Sequence, residues 1–172
     1  MQIRSAVTAG VLGAMALAGH CFGDDAAVNS TDKSFLENAY QDGLAEIQMG
    51  KLGENKSANP DLKALAAEMV TDHSRANTEL KALAASKKVD VPSDPSLVGQ
   101  AKVKMLDIKS GSDFDKAFTE DMISEHKKAV EAFEKAASSA SDPDVKALAS
   151  KTLPTLKAHL SMAEDLKSKV GK

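Results

Sequence analysis

Along most of the chain apolar side chains return every third or fourth residue, the spacing that gathers them on one face of an α-helix. From Leu62 one stripe runs through Leu65, Met69, His73, Ala76, Leu80 and Leu83. Another joins Met122, His126, Ala129, Val130 and Phe133, a third holds Leu156, His159 and Ala163, and a fourth links Ala39, Gly43, Glu46 and Gly50. The pattern predicts four long helices: Asp32 to Asn55, Asn59 to Lys87, Ser112 to Ser139 and Asp142 to Lys169. Strand-like runs of Val, Ile, Thr and Tyr are absent.

The helices come in two copies of one pair. Slid so that Phe35 falls on Phe118, the sequence aligns without a gap, and Asn59-Pro60-Asp61-Leu62-Lys63-Ala64-Leu65-Ala66 meets Asp142-Pro143-Asp144-Val145-Lys146-Ala147-Leu148-Ala149. Asn59 and Asp142 read as N-caps, and Pro60 and Pro143 as first helical residues, where a missing N–H costs nothing. Each copy is a helical hairpin. The two are joined by a long connection in which Asp94 and Pro95 look like another cap and first turn, predicting a short helix that ends near Lys109. A link of that length can climb the bundle and give the up-down-down-up order of ferritin-like folds; plain up-down-up-down order is the alternative. The expected fold is therefore all-α, a ferritin-like four-helix bundle from a duplicated hairpin. Pro154, inside the last helix, is expected to kink it.

Composition narrows the partners. The chain has 172 residues, 22 basic and 25 acidic, for a net charge of −3, and only 3 % aromatic residues. Its charges are interspersed, so no basic stripe offers itself to nucleic acid. Residues 1–23 differ from the rest: Arg4 precedes a small, apolar stretch from Ser5 to Gly19, and acidic Asp24 and Asp25 follow, as in a secretory signal peptide. Residues 24–172 would then be a periplasmic domain with no transmembrane segment. Cleavage after Gly23 removes Cys21 and with it disulfides and thiolate ligands. Lipidation at Cys21 is the rival, but His20 stands where a lipobox needs a small residue.

The segments Met69-Val70-Thr71-Asp72-His73, Ser110-Gly111-Ser112-Asp113-Phe114-Asp115, Met122-Ile123-Ser124-Glu125-His126 and Leu153-Pro154-Thr155-Leu156-Lys157-Ala158-His159-Leu160, with the leader and the duplication, resemble a ferritin-like bacterial family catalogued as domain of unknown function 4142. The resemblance covers nearly all of the chain beyond the leader. It implies a fold and an exported or outer-membrane address, and no activity.

His73, His126 and His159 all fall on inward faces, as does Glu46. At about 1.5 Å per residue His73 and His126 stand near mid-helix, so they can meet. Asp72 and Glu125 adjoin them, and Asp42 lies near the same level on the first helix. One expectation is that these are core histidines satisfied by carboxylates or carbonyls, which hold helix register. The other is a divalent transition metal held by His73, His126 and His159 with Glu46, Asp72 or Glu125, the residue types with which such bundles hold iron, manganese or zinc. The Glu-x-x-His pair of di-iron bundles is missing, since Val70, Ile123 and Leu156 occupy the third position before each histidine. Met69 and Met122 stand one turn before two of the histidines and read as core filler. Gly43, Gly50 and Gly53 suit close helix contact. No phosphate loop or nucleophile elbow is present.

As a function we expect an exported, non-enzymatic periplasmic bundle protein serving envelope maintenance or stress, with a metal-binding ferritin-like protein as the alternative. A module that docks another envelope protein is the third reading.

Overall fold

The computed structural model describes residues 28–170; the expected signal peptide and Cys21 lie outside them. Among the described residues there are five helices and no strand: α1 (Ser30–Lys56), α2 (Pro60–Ser86), α3 (Leu97–Asp107), α4 (Gly111–Ser139) and α5 (Pro143–Val170). None is long and apolar enough to cross a membrane.

Capping chemistry sets the boundaries. The Asn59 side chain accepts from the Asp61 and Leu62 amides, and Asp142 does the same for Asp144 and Val145. Asn29 caps α1 by accepting from Asp32. α4 opens on Gly111 at φ +54°, a left-handed conformation that glycine adopts without strain. α3 departs from expectation. Its cap is Ser96, whose hydroxyl accepts from the Gly99 amide at 3.1 Å, and not Asp94. The Asp94 carboxylate instead accepts from Ser93 and its carbonyl from Gln41, while Pro95 is buried ahead of the first turn. α5 is helical from Pro143 to Val170, through Pro154.

Contacts between helix ends decide the helix order. The α2 C-cap Lys87 pairs with Asp142 and Asp144 at the start of α5, at 2.9 and 2.7 Å. Lys169 at the end of α5 pairs with Asp61 at the start of α2 at 2.9 Å. Lys56, ending α1, meets Asp107 at the end of α3 and lies over the Phe114 ring in the first turn of α4. Asp32, opening α1, lies against the start of α5. Hence α1 rises, α2 descends, α3 climbs back, α4 descends and α5 rises, the up-down-down-up order. Every long helix is antiparallel to both neighbours.

Close approach of α1 and α2 depends on the three glycines. A Cβ on Gly43 would stand 2.2 Å from Asn77 Oδ1, one on Gly50 2.7 Å from Val70, and one on Gly53 2.7 Å from Ala66. The core is then filled in two halves. Met49, Leu62, Leu65, Met69, Phe114, Phe118, Met122 and Leu166 pack the upper half, closed by Leu106 of α3. Leu36, Tyr40, Leu80, Ala84 and Val145, with Phe133, Ala149 and Leu156, pack the lower. Between them lies a polar layer.

At the lower end Asp32 is buried, and one of its carboxylate oxygens accepts from the amides of Ser141 and Asp142 at 3.0 and 2.8 Å. It thus ties α1 to the α4–α5 turn. Asp32→Ala leaves both donors without that partner, and urea unfolding is expected to show a loss of about 1–2 kcal/mol. An unchanged midpoint would mean that water replaces the carboxylate at no cost.

Candidate metal centre

Each long helix contributes one inward polar residue at mid-height: Glu46 from α1, His73 from α2, His126 from α4 and His159 from α5. Their relative exposures are 5, 5, 0 and 1 %. The three ring centroids lie 5.3–5.4 Å apart. His73 Nε2 is 3.4 Å from His126 Nε2, which is 3.3 Å from His159 Nδ1.

The outer nitrogen of every ring is engaged. His73 Nδ1 faces Glu46 Oε2 at 3.1 Å. His126 Nδ1–H donates to the Met122 carbonyl at 3.0 Å, with Glu46 Oε1 at 3.6 Å. His159 Nε2–H donates to Asp72 Oδ2 at 3.2 Å, and Arg75 holds the other Asp72 oxygen at 2.8 Å. The Met122 carbonyl can only accept, so the neutral His126 ring carries its proton on Nδ1 and its lone pair on Nε2, and wherever Glu46 and Asp72 accept, the same holds for the inner nitrogens of His73 and His159. Three lone pairs then converge with no proton among them. Protonating Glu46 would let it donate to His73 and free one N–H for the His73–His126 contact, which still leaves His159 Nδ1 facing His126 without a hydrogen.

Electrostatics keeps the rings neutral. Burial pushes His73 down to about 3, helped by His159 and opposed by Asp72. Burial also lowers His126, against the pull of Glu46, and His159, against its hydrogen bond to Asp72. The same desolvation drives Glu46 up to about 7, although His126 draws it down. Neutral imidazoles with oriented outer N–H groups are the form in which histidine binds metal.

Two of the three nitrogen separations match those around a bound ion. Ligand nitrogens about 2.0–2.1 Å from a tetrahedral centre are about 3.3–3.4 Å apart, and the two short separations are 3.3 and 3.4 Å. His73, His126 and His159 form one cluster with ligand atoms within 4.8 Å of each other; Glu68, Asp72 and His159 form a second, more exposed one. Glu46 and Asp72 act as orienting acceptors toward the rings.

Glu125 does not join the imidazoles. It is adjacent to His126 and so turned by about 100° around α4, and it pairs with Lys102 of α3 at 2.6 Å and Lys128 at 3.1 Å. Asp72 has the same sequence relation to His73 yet reaches His159, because its side of α2 faces α5. Asp42 also stays clear of the rings, on the wall of a cavity of about 440 Å³. That cavity leads from Glu46 and His73 between α1 and α4, past apolar walls that include Phe35, Leu80 and Phe133. It gives the layer a route to solvent.

Three residues around the layer went unread in the sequence. Asn77, buried one turn after His73, donates to the Tyr40 carbonyl at 3.1 Å; its place in the α2 stripe was the available signal. Lys102 comes from α3, whose docking face carries no sequence motif. Glu68 stands one turn before Asp72, a spacing common on solvated helix faces.

No curated protein matches the sequence. Among solved structures, a DUF305 fragment from Deinococcus radiodurans superposes with a TM-score of 0.73 at 15 % identity, over 83 % of this chain and 98 % of that one. The Cu(II)-bound form of CopM gives 0.69 at 22 % identity, over 80 % and 96 %. A DUF305 protein from Streptomyces coelicolor gives 0.71 at 14 % identity, over 82 % and 92 %. At such identities the likeness concerns the fold. The model of the family described as domain of unknown function DUF4142 matches residues 21–166, and the chain belongs to that family.

Proposed function

We propose that this is an exported metal-binding protein of the cell envelope, in which His73, His126 and His159 hold one transition-metal ion and Glu46 and Asp72 fix the rings. The observation that carries this reading is the convergence of three buried imidazole nitrogens whose outer ring nitrogens face a carbonyl and two carboxylates. A purely structural histidine layer would hydrogen-bond ring to ring through protons, and with the outer nitrogens of His126 and His159 donating to Met122 and Asp72 their mutual contact has no donor. The leader at residues 1–23 supports a periplasmic address. CopM, a structural neighbour, was solved in Cu(II)-, Cu(I)- and Ag-bound forms, which supports metal handling on this fold.

When bound, the ion would supply positive charge beside the buried Glu46 carboxylate. Asp72, Glu46 and the Met122 carbonyl would hold the three rings with their inner nitrogens within 4.8 Å of one another.

Equilibrium dialysis of the purified protein against Zn(II), Co(II) and Cu(II), read by elemental analysis, tests the reading. One equivalent is expected at micromolar free metal, with at least a hundredfold loss of affinity in His73→Ala and His126→Ala variants that keep their helical circular dichroism. Binding of none of these ions, or undiminished binding in folded variants, would leave the imidazoles a structural layer.

A further inference from the structure

Four of the five methionines among the described residues come one from each long helix: Met49, Met69, Met122 and Met162. Each stands one turn from a member of the polar layer. Met49 follows Glu46 and Met162 follows His159 by three residues, whereas Met69 precedes His73 and Met122 precedes His126 by four. Because α1 and α5 rise while α2 and α4 descend, all four displacements point to the upper end, by roughly 4.5–6 Å at about 1.5 Å per residue. Steps of three and four keep both side chains on the same helix face. The methionines therefore form a layer resting on the imidazoles. Met49, Met69 and Met122 are fully buried in one cluster, and Met162 packs against it. His126 is tied directly to that level through the Met122 carbonyl.

Core filling does not by itself select methionine four times. One turn higher the corresponding positions hold Gly53, Leu65, Phe118 and Leu166, and one turn below the histidines they include Asn77, Ala129 and Leu156. The fifth methionine, Met105, is on α3 and 64 % exposed.

We infer that Met49, Met69, Met122 and Met162 form a binding site for a soft monovalent cation of the Cu(I) or Ag(I) class, stacked on the imidazole centre. Thioether sulfur is a soft, uncharged donor that releases no proton on binding, and it favours Cu(I) over hard or divalent ions. Burial strengthens the preference, since the cost of desolvating an ion rises with the square of its charge and these donors bring no negative charge to offset it. The site lies on the side of the imidazoles away from the 440 Å³ cavity, so an ion taken up through the cavity reaches the imidazoles first. The inference extends the metal-binding reading, and its ligands are a different set of residues.

The test is NMR of the protein carrying ¹³C-methyl methionine, titrated in separate samples with Ag(I) and with Zn(II). Ag(I) is expected to shift the methyl signals of Met49, Met69, Met122 and Met162 and leave that of Met105 in place, while Zn(II) moves histidine ring signals with much smaller methyl changes. A variant with leucine at all four positions, a change that nearly conserves volume, should bind Ag(I) at least tenfold more weakly and Zn(II) as before. Four unmoved methyls, or a Met105 shift of equal size, would overturn the proposal even if the leucine variant failed to fold. Zn(II) leaving the histidine signals unchanged would instead defeat the imidazole centre, and Ag(I) would still decide the thioether layer.

Discussion

Replacing His126 by leucine is expected to abolish metal-dependent stabilisation while leaving the metal-free bundle within about 1 kcal/mol of the parent. The His126 ring is fully buried, and its one satisfied hydrogen bond goes to the Met122 carbonyl, an in-helix acceptor that keeps its backbone partner when the ring is lost. Its other nitrogen faces two further ring nitrogens. Leucine removes a desolvated polar group that has little to lose, at similar volume. In the parent, metal at a hundred times its Kd should add about 2.7 kcal/mol. For a domain of this size that is a rise in Tm of roughly 5–10 °C. Melting curves with and without Zn(II) read both quantities. A structural histidine behaves oppositely: its loss costs more than about 2 kcal/mol with or without metal, and that result would refute the assignment.

Acidification is expected to destabilise the metal-free protein below about pH 6.5. His73 binds its proton near 6.5 when unfolded and near 3 when folded, so in that window the unfolded chain holds more protons and stability falls as pH falls. The slope from this residue approaches about 1.4 kcal/mol per pH unit. His126 and His159 are lowered as well and act in the same direction. Glu46 opposes them: raised from 4.5 to about 7, it makes the folded state the better proton acceptor between those values, so its contribution falls as pH rises. Three groups against one leave a net acid sensitivity. Urea midpoints at pH 5, 6 and 7 should therefore climb, His73→Leu should flatten the climb, and Glu46→Gln should steepen it. Midpoints that fall toward pH 7 would show that Glu46 dominates the layer.

Much of this was legible because helix period and caps are local signals. The Asn59-Pro60 and Asp142-Pro143 steps mark helix starts by hydrogen bonds that span two or three residues, and the structure makes them. His73, His126 and His159 could be assigned inward positions from stripes alone. What the stripes do not specify is which side chains meet across helices. Glu125 and Asp72 are equivalent in sequence, each preceding a histidine, yet one faces α3 and its lysine while the other faces α5 and a histidine. The choice depends on the cyclic order of helices around the bundle, a property of the long connection. The α3 cap falls on Ser96 and not on Asp94, whose carboxylate accepts from Ser93 and whose carbonyl accepts from Gln41 of α1. Of the methionine layer only Met69 and Met122 stand out in the sequence, one turn before two histidines, where they read as core filler. Met49 and Met162 joined it only once the directions of α1 and α5 put all four at one height.

The claim on which the rest depends is that three imidazoles share one ion. Zinc K-edge X-ray absorption of the one-to-one complex measures it directly. The predicted first shell holds three imidazole nitrogens about 2.0–2.1 Å from the metal, with outer-ring scattering from three rings. A shell of oxygens with one ring or none would place the ion elsewhere and contradict the account.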